Sequence, residues 1–317
     1  MKARSRTPNA APSRSLMKRI LVGLATVAIT LIAADATSSL VYRTNRAASV
    51  SVFPGGPTPP ESAVVLLPGY GMSGELAARA LRRQMPRDTV ILGVSYADRG
   101  VDLNQISHAV NARLAGIPSP HIYFYGASMG GIVANHLATT YAAEHRNHQV
   151  TLILDTAPSS AKDVRRPQIL LAASCGYPGG ALSSALWSLL ARTAPRIPLS
   201  GSTNRLAQEG RQYVQTVGTP ALTSQACFLH RELPVTLDQA NFRVFSAKAP
   251  DADKNDPLVD TRSATARWRG TFPRLSVITI GNRQGRWHIP LVERPSDAAA
   301  VLAKVANTTL RDVGHET

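Results

Sequence analysis

Short apolar runs alternate with helical periodicities through the first half of the chain. Ala63 to Leu67, Thr89 to Ser95, His121 to Tyr125 and Val150 to Leu154 are each bounded by Gly, Pro or polar residues and have the length of buried strands. Between them lie helical patterns. Ser73 to Gln84 has Ser73 as its cap and stops at Pro86. Asp102 to Ala115 places Ile106, Val110 and Leu114 on one face, with Gly116 and Pro118 beyond it. Met129, Ile132, Val133, His136, Leu137, Thr140 and Tyr141 fall on one face of a helix reaching about His145. Strands that are apolar throughout, rather than at every second residue, are covered on both sides. The pattern therefore predicts an α/β fold: a mostly parallel central sheet with helices on both faces.

The alternation stops after Leu154. From 156 to 241 there are short helical patterns, such as Ala181 to Ala191 and Thr203 to Val217, broken by Pro and Gly. An excursion of this length between two strands is expected to be a helical cap insertion over a pocket. Strands return at Phe242 to Ser246 and Leu275 to Ile280, followed by a helix from Ser296 to about Asn307. The expected core is thus 61–155 together with 242–310. Residues 43–60, rich in Ser, Gly and Pro, read as a linker.

The N-terminus reads differently. Lys2, Arg4, Arg6, Arg14, Lys18 and Arg19 precede the uncharged apolar run Ile20 to Ala34, which can extend as far as Tyr42. Residues 1–42 are expected to be a signal peptide, cleaved near Ala34-Asp35-Ala36, or an uncleaved signal-anchor. Basic residues ahead of the run place the remainder outside the cytoplasm in either case. Membrane attachment, if the segment is kept, runs through residues 20–42. The formal charge of +15 across 317 residues falls to about +9 without the leader's six basic residues. The arginines are scattered and no nucleic-acid motif is present, so no nucleic-acid partner is expected. Cys175 and Cys227 are the chain's two cysteines. Both lie in the 156–241 insertion, and export predicts a disulfide between them.

The chemistry gathers around Gly126-Ala127-Ser128-Met129-Gly130, which follows a strand and opens a helix. A serine hydroxyl is a weak nucleophile and must be presented to a base. A sharp strand-to-helix turn presents Ser128, and glycines on both sides relieve the crowding. The base expected is His288, on the loop after the last strand, in Trp287-His288-Ile289-Pro290. The orienting acid expected is Asp256, in a loop after an earlier strand, where Pro257 can fix a tight turn. Asp253 and Asp155 stand as alternative seats.

The segment from Tyr125 to Gly131, the run Asp256-Pro257-Leu258-Val259 and the run from His288 to Pro295 resemble, in that order, the elbow, acid loop and histidine loop of the α/β-hydrolase fold. The resemblance covers about Glu61 to Asn307. It implies an exported serine hydrolase, carboxylesterase- or lipase-like. Ser128, His288 and Asp256 would form the triad, and the backbone N–H groups of Tyr70 and Met129 the oxyanion hole. The family often carries His-Gly where this chain has Pro68-Gly69-Tyr70-Gly71, and Gly71 or Met72 are alternative donors to Tyr70. The implied partner is a small-molecule or lipid ester, with neither metal nor cofactor. Acyl transfer by the same triad, or a hydrolase-like fold kept for binding, are the rival readings.

Overall fold

The computed structural model describes residues 14–42, 47–70, 72–97, 101–165, 225, 227–229, 241–256, 258–280 and 294–313. Helix α1 (Arg14–Tyr42) precedes an edge strand, β1 (Ser49–Phe53). Then come β2 (Ser62–Leu67), α2 (Gly74–Arg82), β3 (Thr89–Ser95), α3 (Leu103–Leu114), β4 (His121–Ala127), α4 (Gly130–Glu144) and β5 (Gln149–Asp155). A 3-10 turn at Ala161–Asp163 lies at the start of the insertion, and beyond the insertion the chain adds β6 (Phe242–Lys248), α5 (Ala252–Asn255), α6 (Thr261–Thr271), β7 (Ser276–Thr279) and α7 (Pro295–Val313).

The seven strands form one sheet in the order β1-β3-β2-β4-β5-β6-β7. All neighbours are parallel except β1, which pairs antiparallel with β3. Strand residues point alternately to two separate cores. Val65, Phe124 and Leu152 face α3 and α4, where they meet Ile106, Val110, Val133 and Leu137. Val64, Tyr123 and Ile153 face α2 and α7, where they meet Ala78, Leu81, Val301 and Val305. Burying a Leu, Val or Phe is worth about 1.5–3 kcal/mol, so both faces contribute heavily to stability. The caps explain where the helices begin. Ser73 Oγ accepts from Leu76 N–H at 3.3 Å, and Asp102 Oδ1 accepts from Asn104 and Gln105 N–H at 3.0 and 3.2 Å.

The structure adds three elements to the sequence reading. The linker expected over 43–60 contains β1, whose Ser-Val-Ser-Val-Phe alternation pairs Ser49 to Phe53 with Ser95 to Ile91. Helices α5 and α6 occupy the loop expected between the last two strands. Part of the insertion is described. Phe228 and Leu229 are buried in the core on the α3/α4 face. The helical patterns at Ala181 to Ala191 and Thr203 to Val217, and the rest of 166–224, lie outside the described residues, as does Cys175. Helix α1 holds an apolar stretch, Met17–Ser38, of 22 residues and mean hydropathy 2.0. Its large side chains, including Leu21, Val22 and Ile29, are exposed.

Candidate active site

The sheet's carboxyl edge collects the chemistry. The register pairs Leu67 with Gly126, Ala127 with Asp155, and Asp155 with Ala247, so β2, β4, β5 and β6 end side by side. Open parallel sheets bind ligands outside this edge, where helices start and loops are free to vary. Ser128 is the residue that follows β4.

Its backbone is strained. Ser128 has φ 50°, a left-handed conformation that a residue with a Cβ rarely adopts. Hydrogen bonds on both sides hold it there. Ser128 N–H donates to the Asp155 carbonyl at 2.8 Å, and the Ser128 carbonyl accepts from Gly131 N–H at 2.8 Å. The glycines of the motif are spatial requirements. A Cβ on Gly126 would press into the backbone of Gly130 and Gly131, and one on Gly130 into the carbonyls of Leu67 and Pro68. The second contact seats the start of α4 directly against the end of β2. Met129 is the N-cap of α4, and its side chain is fully buried. What Met129 can offer at this rim is therefore its amide, at the positive end of the helix.

The loop after β2 is fixed from two directions. Met72 N–H donates to the Gly69 carbonyl at 3.1 Å, and the Tyr96 hydroxyl donates to the Pro68 carbonyl at 2.9 Å. Tyr70 packs partly against the core, and burial pushes its hydroxyl up to about 12, so it stays neutral. Gly71 lies outside the described residues. The sequence reading missed Tyr96; a tyrosine just past a strand carries no signal of a contact across the sheet.

The three acid seats differ sharply. Asp256 is buried at 1% exposure, and its Oδ1 accepts from both Leu258 and Val259 N–H at 2.8 Å. Such an Asx turn fixes the aim of the carboxylate. Asp253 is committed to a salt bridge. Both its oxygens lie 2.7 Å from Lys248 Nζ, and Thr261 Oγ1 donates to it at 2.7 Å. Burial alone would raise the Asp253 carboxyl, but hydrogen bonds from Lys248 and Thr261 and the charges of Lys248 and Arg262 outweigh it and lower its pKa. Asp155 is fully buried, with Tyr125 Oη donating to one oxygen and Thr156 Oγ1 to the other, both at 2.9 Å. Burial first, and then Asp155, hold the Tyr125 phenol well above its usual range. Asp155 thus braces the elbow, since its own carbonyl receives the Ser128 amide.

His288 lies outside the described residues. Strands β4 and β6 are separated by β5, so their axes stand about 10 Å apart. A cavity of about 370 Å³ lined by residues 143–148 opens at the opposite end of β5, away from Ser128. Among the described residues no cluster of three or more His, Cys, Asp or Glu is placed to hold a metal ion.

A strained serine between a parallel strand and its helix, at the carboxyl edge of a sheet covered on both sides, is the framework of the α/β-hydrolase fold, and this chain has that fold. Solved structures agree. An esterase from Exiguobacterium antarcticum superposes with a TM-score of 0.57 at 12% identity, over 82% of this chain and 95% of that one. The type II thioesterase BorB of the borrelidin biosynthetic cluster gives 0.55 at 17% identity, over 81% and 96%. The bottromycin epimerase BotH gives 0.55 at 15% identity, over 81% and 93%. No known family profile and no curated protein matches the sequence.

Proposed function

We propose that the protein is an exported serine hydrolase that cleaves carboxylic esters. Ser128 attacks the ester carbonyl carbon, and His288 takes the hydroxyl proton and returns it to the leaving alcohol. Asp256 orients the imidazole and stabilises its cation. The Tyr70 and Met129 amides hold the oxyanion, and water then releases the acid from Ser128. The observation that carries this reading is the φ of 50° at Ser128, because a serine held in a strained strand-to-helix turn at this edge has a ready use in nucleophilic attack. The esterase and thioesterase among the similar structures support the substrate class. Asp256 is preferred to its rivals because Asp253 is salt-bridged and Asp155 is bonded by two hydroxyls.

The similarity to BotH supports a second reading, a non-hydrolytic use of the same framework. Covalent labelling separates the two. A fluorophosphonate should label the purified protein and leave Ser128→Ala unlabelled. Equal labelling of the two, or none in folded protein, ends the hydrolase reading.

Three further parts belong to the proposal. The apolar stretch of α1 matches the roughly 20 residues needed to cross a bilayer, which supports export with α1 as cleaved signal or retained anchor. Membrane fractionation with N-terminal sequencing distinguishes these. Residues 156–241 serve as the cap that takes the acyl part, and a panel of esters of rising chain length tests it; flat activity counts against it. Cys175 pairs with Cys227, which is supported by the absence of a free cysteine among the described residues. Mass mapping without reductant should find that bridge, and two free thiols would refute it.

A further inference from the structure

The loop that carries Asp256 is held by more than its own turn. The chain leaving β5 runs beside it as a short antiparallel bridge, with Val164 opposite Val259. Arg165 N–H donates to the Leu258 carbonyl and Asp260 N–H to the Asp163 carbonyl, both at 2.7 Å. The carboxylate at the centre of this arrangement, Asp163, is fully buried. It accepts from Ser159 N–H at 2.8 Å and from Ser159 Oγ at 2.6 Å on one oxygen, and Arg267 of α6 reaches its other oxygen at 2.7 Å. Two more bonds tie the same segments together. Trp268 Nε1–H donates to the Ala157 carbonyl at 3.0 Å, and Arg165 Nη2 to the Asp253 carbonyl at 3.1 Å.

Burying a carboxylate is costly unless it is paired and hydrogen-bonded, and this one is both. Its bonds join the segment after β5 to α6, and the bridge beside it grips residues 258–260. Those residues include the two amides that fix the Asp256 carboxylate. We propose that Asp163 is a positioning residue for the acid loop, clamping 258–260 through Arg267 and the Val164–Val259 bridge so that Asp256 keeps its aim. The role in catalysis rests on the triad reading given above; the clamp itself does not. A shift of about 1 Å in a catalytic group costs on the order of 100-fold in rate, so such a clamp matters to a triad.

The test pairs residue-resolved hydrogen exchange with ester kinetics on the full chain. Asp163→Asn keeps the size and an acceptor oxygen but loses the charge facing Arg267. Amide exchange at Leu258, Val259 and Asp260 should rise by about ten-fold relative to β4, the effect of losing one charge-assisted hydrogen bond. In the same variant kcat should fall by about ten-fold while KM stays within about two-fold. Arg267→Met, altered at a partly exposed side chain, should change both quantities in the same direction, and Arg267→Lys should restore most of the parent behaviour. Parent-like protection at 258–260 in folded Asp163→Asn overturns the clamp. If Asp163→Asn does not fold, parent-like protection in Arg267→Met overturns it instead. Raised exchange in a protein whose parent hydrolyses nothing upholds the clamp and counts against the hydrolase reading. A lowered melting temperature with unchanged exchange at 258–260 marks a purely structural role and also overturns it.

Discussion

The serine and the acid are held in place by opposite means. At the elbow, backbone meets backbone: Gly126 and Gly130 leave no room for a Cβ, and Ser128 is bent into a left-handed turn between fixed strand and helix ends. At the acid loop, hydrogen bonds do the holding, from side chains and from the backbone bridge at Val164 and Val259. Asp256 gathers two amides, Asp163 and Arg267 tie neighbouring segments, and Asp260 caps α6 by accepting Ser263 N–H at 3.1 Å. Steric exclusion admits few substitutions, whereas a hydrogen-bonded loop tolerates change in proportion to the bonds removed. The elbow should therefore fail abruptly under mutation and the acid loop by degrees.

The sharpest break is Ser128→Ala, which should lower ester kcat by about 10⁴-fold or more with the melting temperature nearly preserved, as only a hydroxyl is removed and the backbone turn is kept. Next comes Asp256→Asn. Its amide oxygen can still accept from Leu258 and Val259, so the fold should survive while kcat falls by about 10²- to 10⁴-fold. An equal rate in this variant would move the acid role elsewhere. Gly130→Ala tests the steric side and should cost about 1–3 kcal/mol in denaturant melts, because the intruded atoms are backbone carbonyls that cannot rotate away. Tyr125→Phe removes a donor from the buried Asp155 and should cost about 1–3 kcal/mol, with fluorophosphonate labelling slowed because the elbow's brace is loosened.

The smallest effect concerns Asp253. Its pKa is lower folded than unfolded, so it stabilises the protein above the ordinary carboxylate value of about 4 and loses that contribution as pH falls through the folded value. Lys248→Met should flatten the acid limb of a stability-versus-pH curve below about pH 4 and leave neutral-pH activity nearly unchanged.

The two regions were also unequally legible. The elbow is local: five consecutive residues, a strand before and a helix after, carry the whole constraint, and Ser128 stands between the end of β4 and the start of α4. Strand boundaries in the parallel core were legible for the same reason, since a run buried on two faces has few polar interruptions. The acid loop depends on partners up to 111 positions away, as in the pairs of Asp163 with Arg267 and Ala157 with Trp268. Helix α6 escaped notice because its arginine-rich sequence hides a narrow buried stripe of Thr261, Ala264, Thr265 and Trp268. Strand β1 was masked by its surroundings. Proline and glycine follow it closely, and the strand is only five residues long.

That edge strand shortens the leash. Were α1 to stay embedded in a bilayer, six residues would separate Tyr42 from the first residue of β1. Fully extended, they reach about 20 Å. The sheet would then graze the lipid headgroups instead of roaming on an 18-residue tether, and its encounters would be with molecules dissolved in, or leaving, that surface.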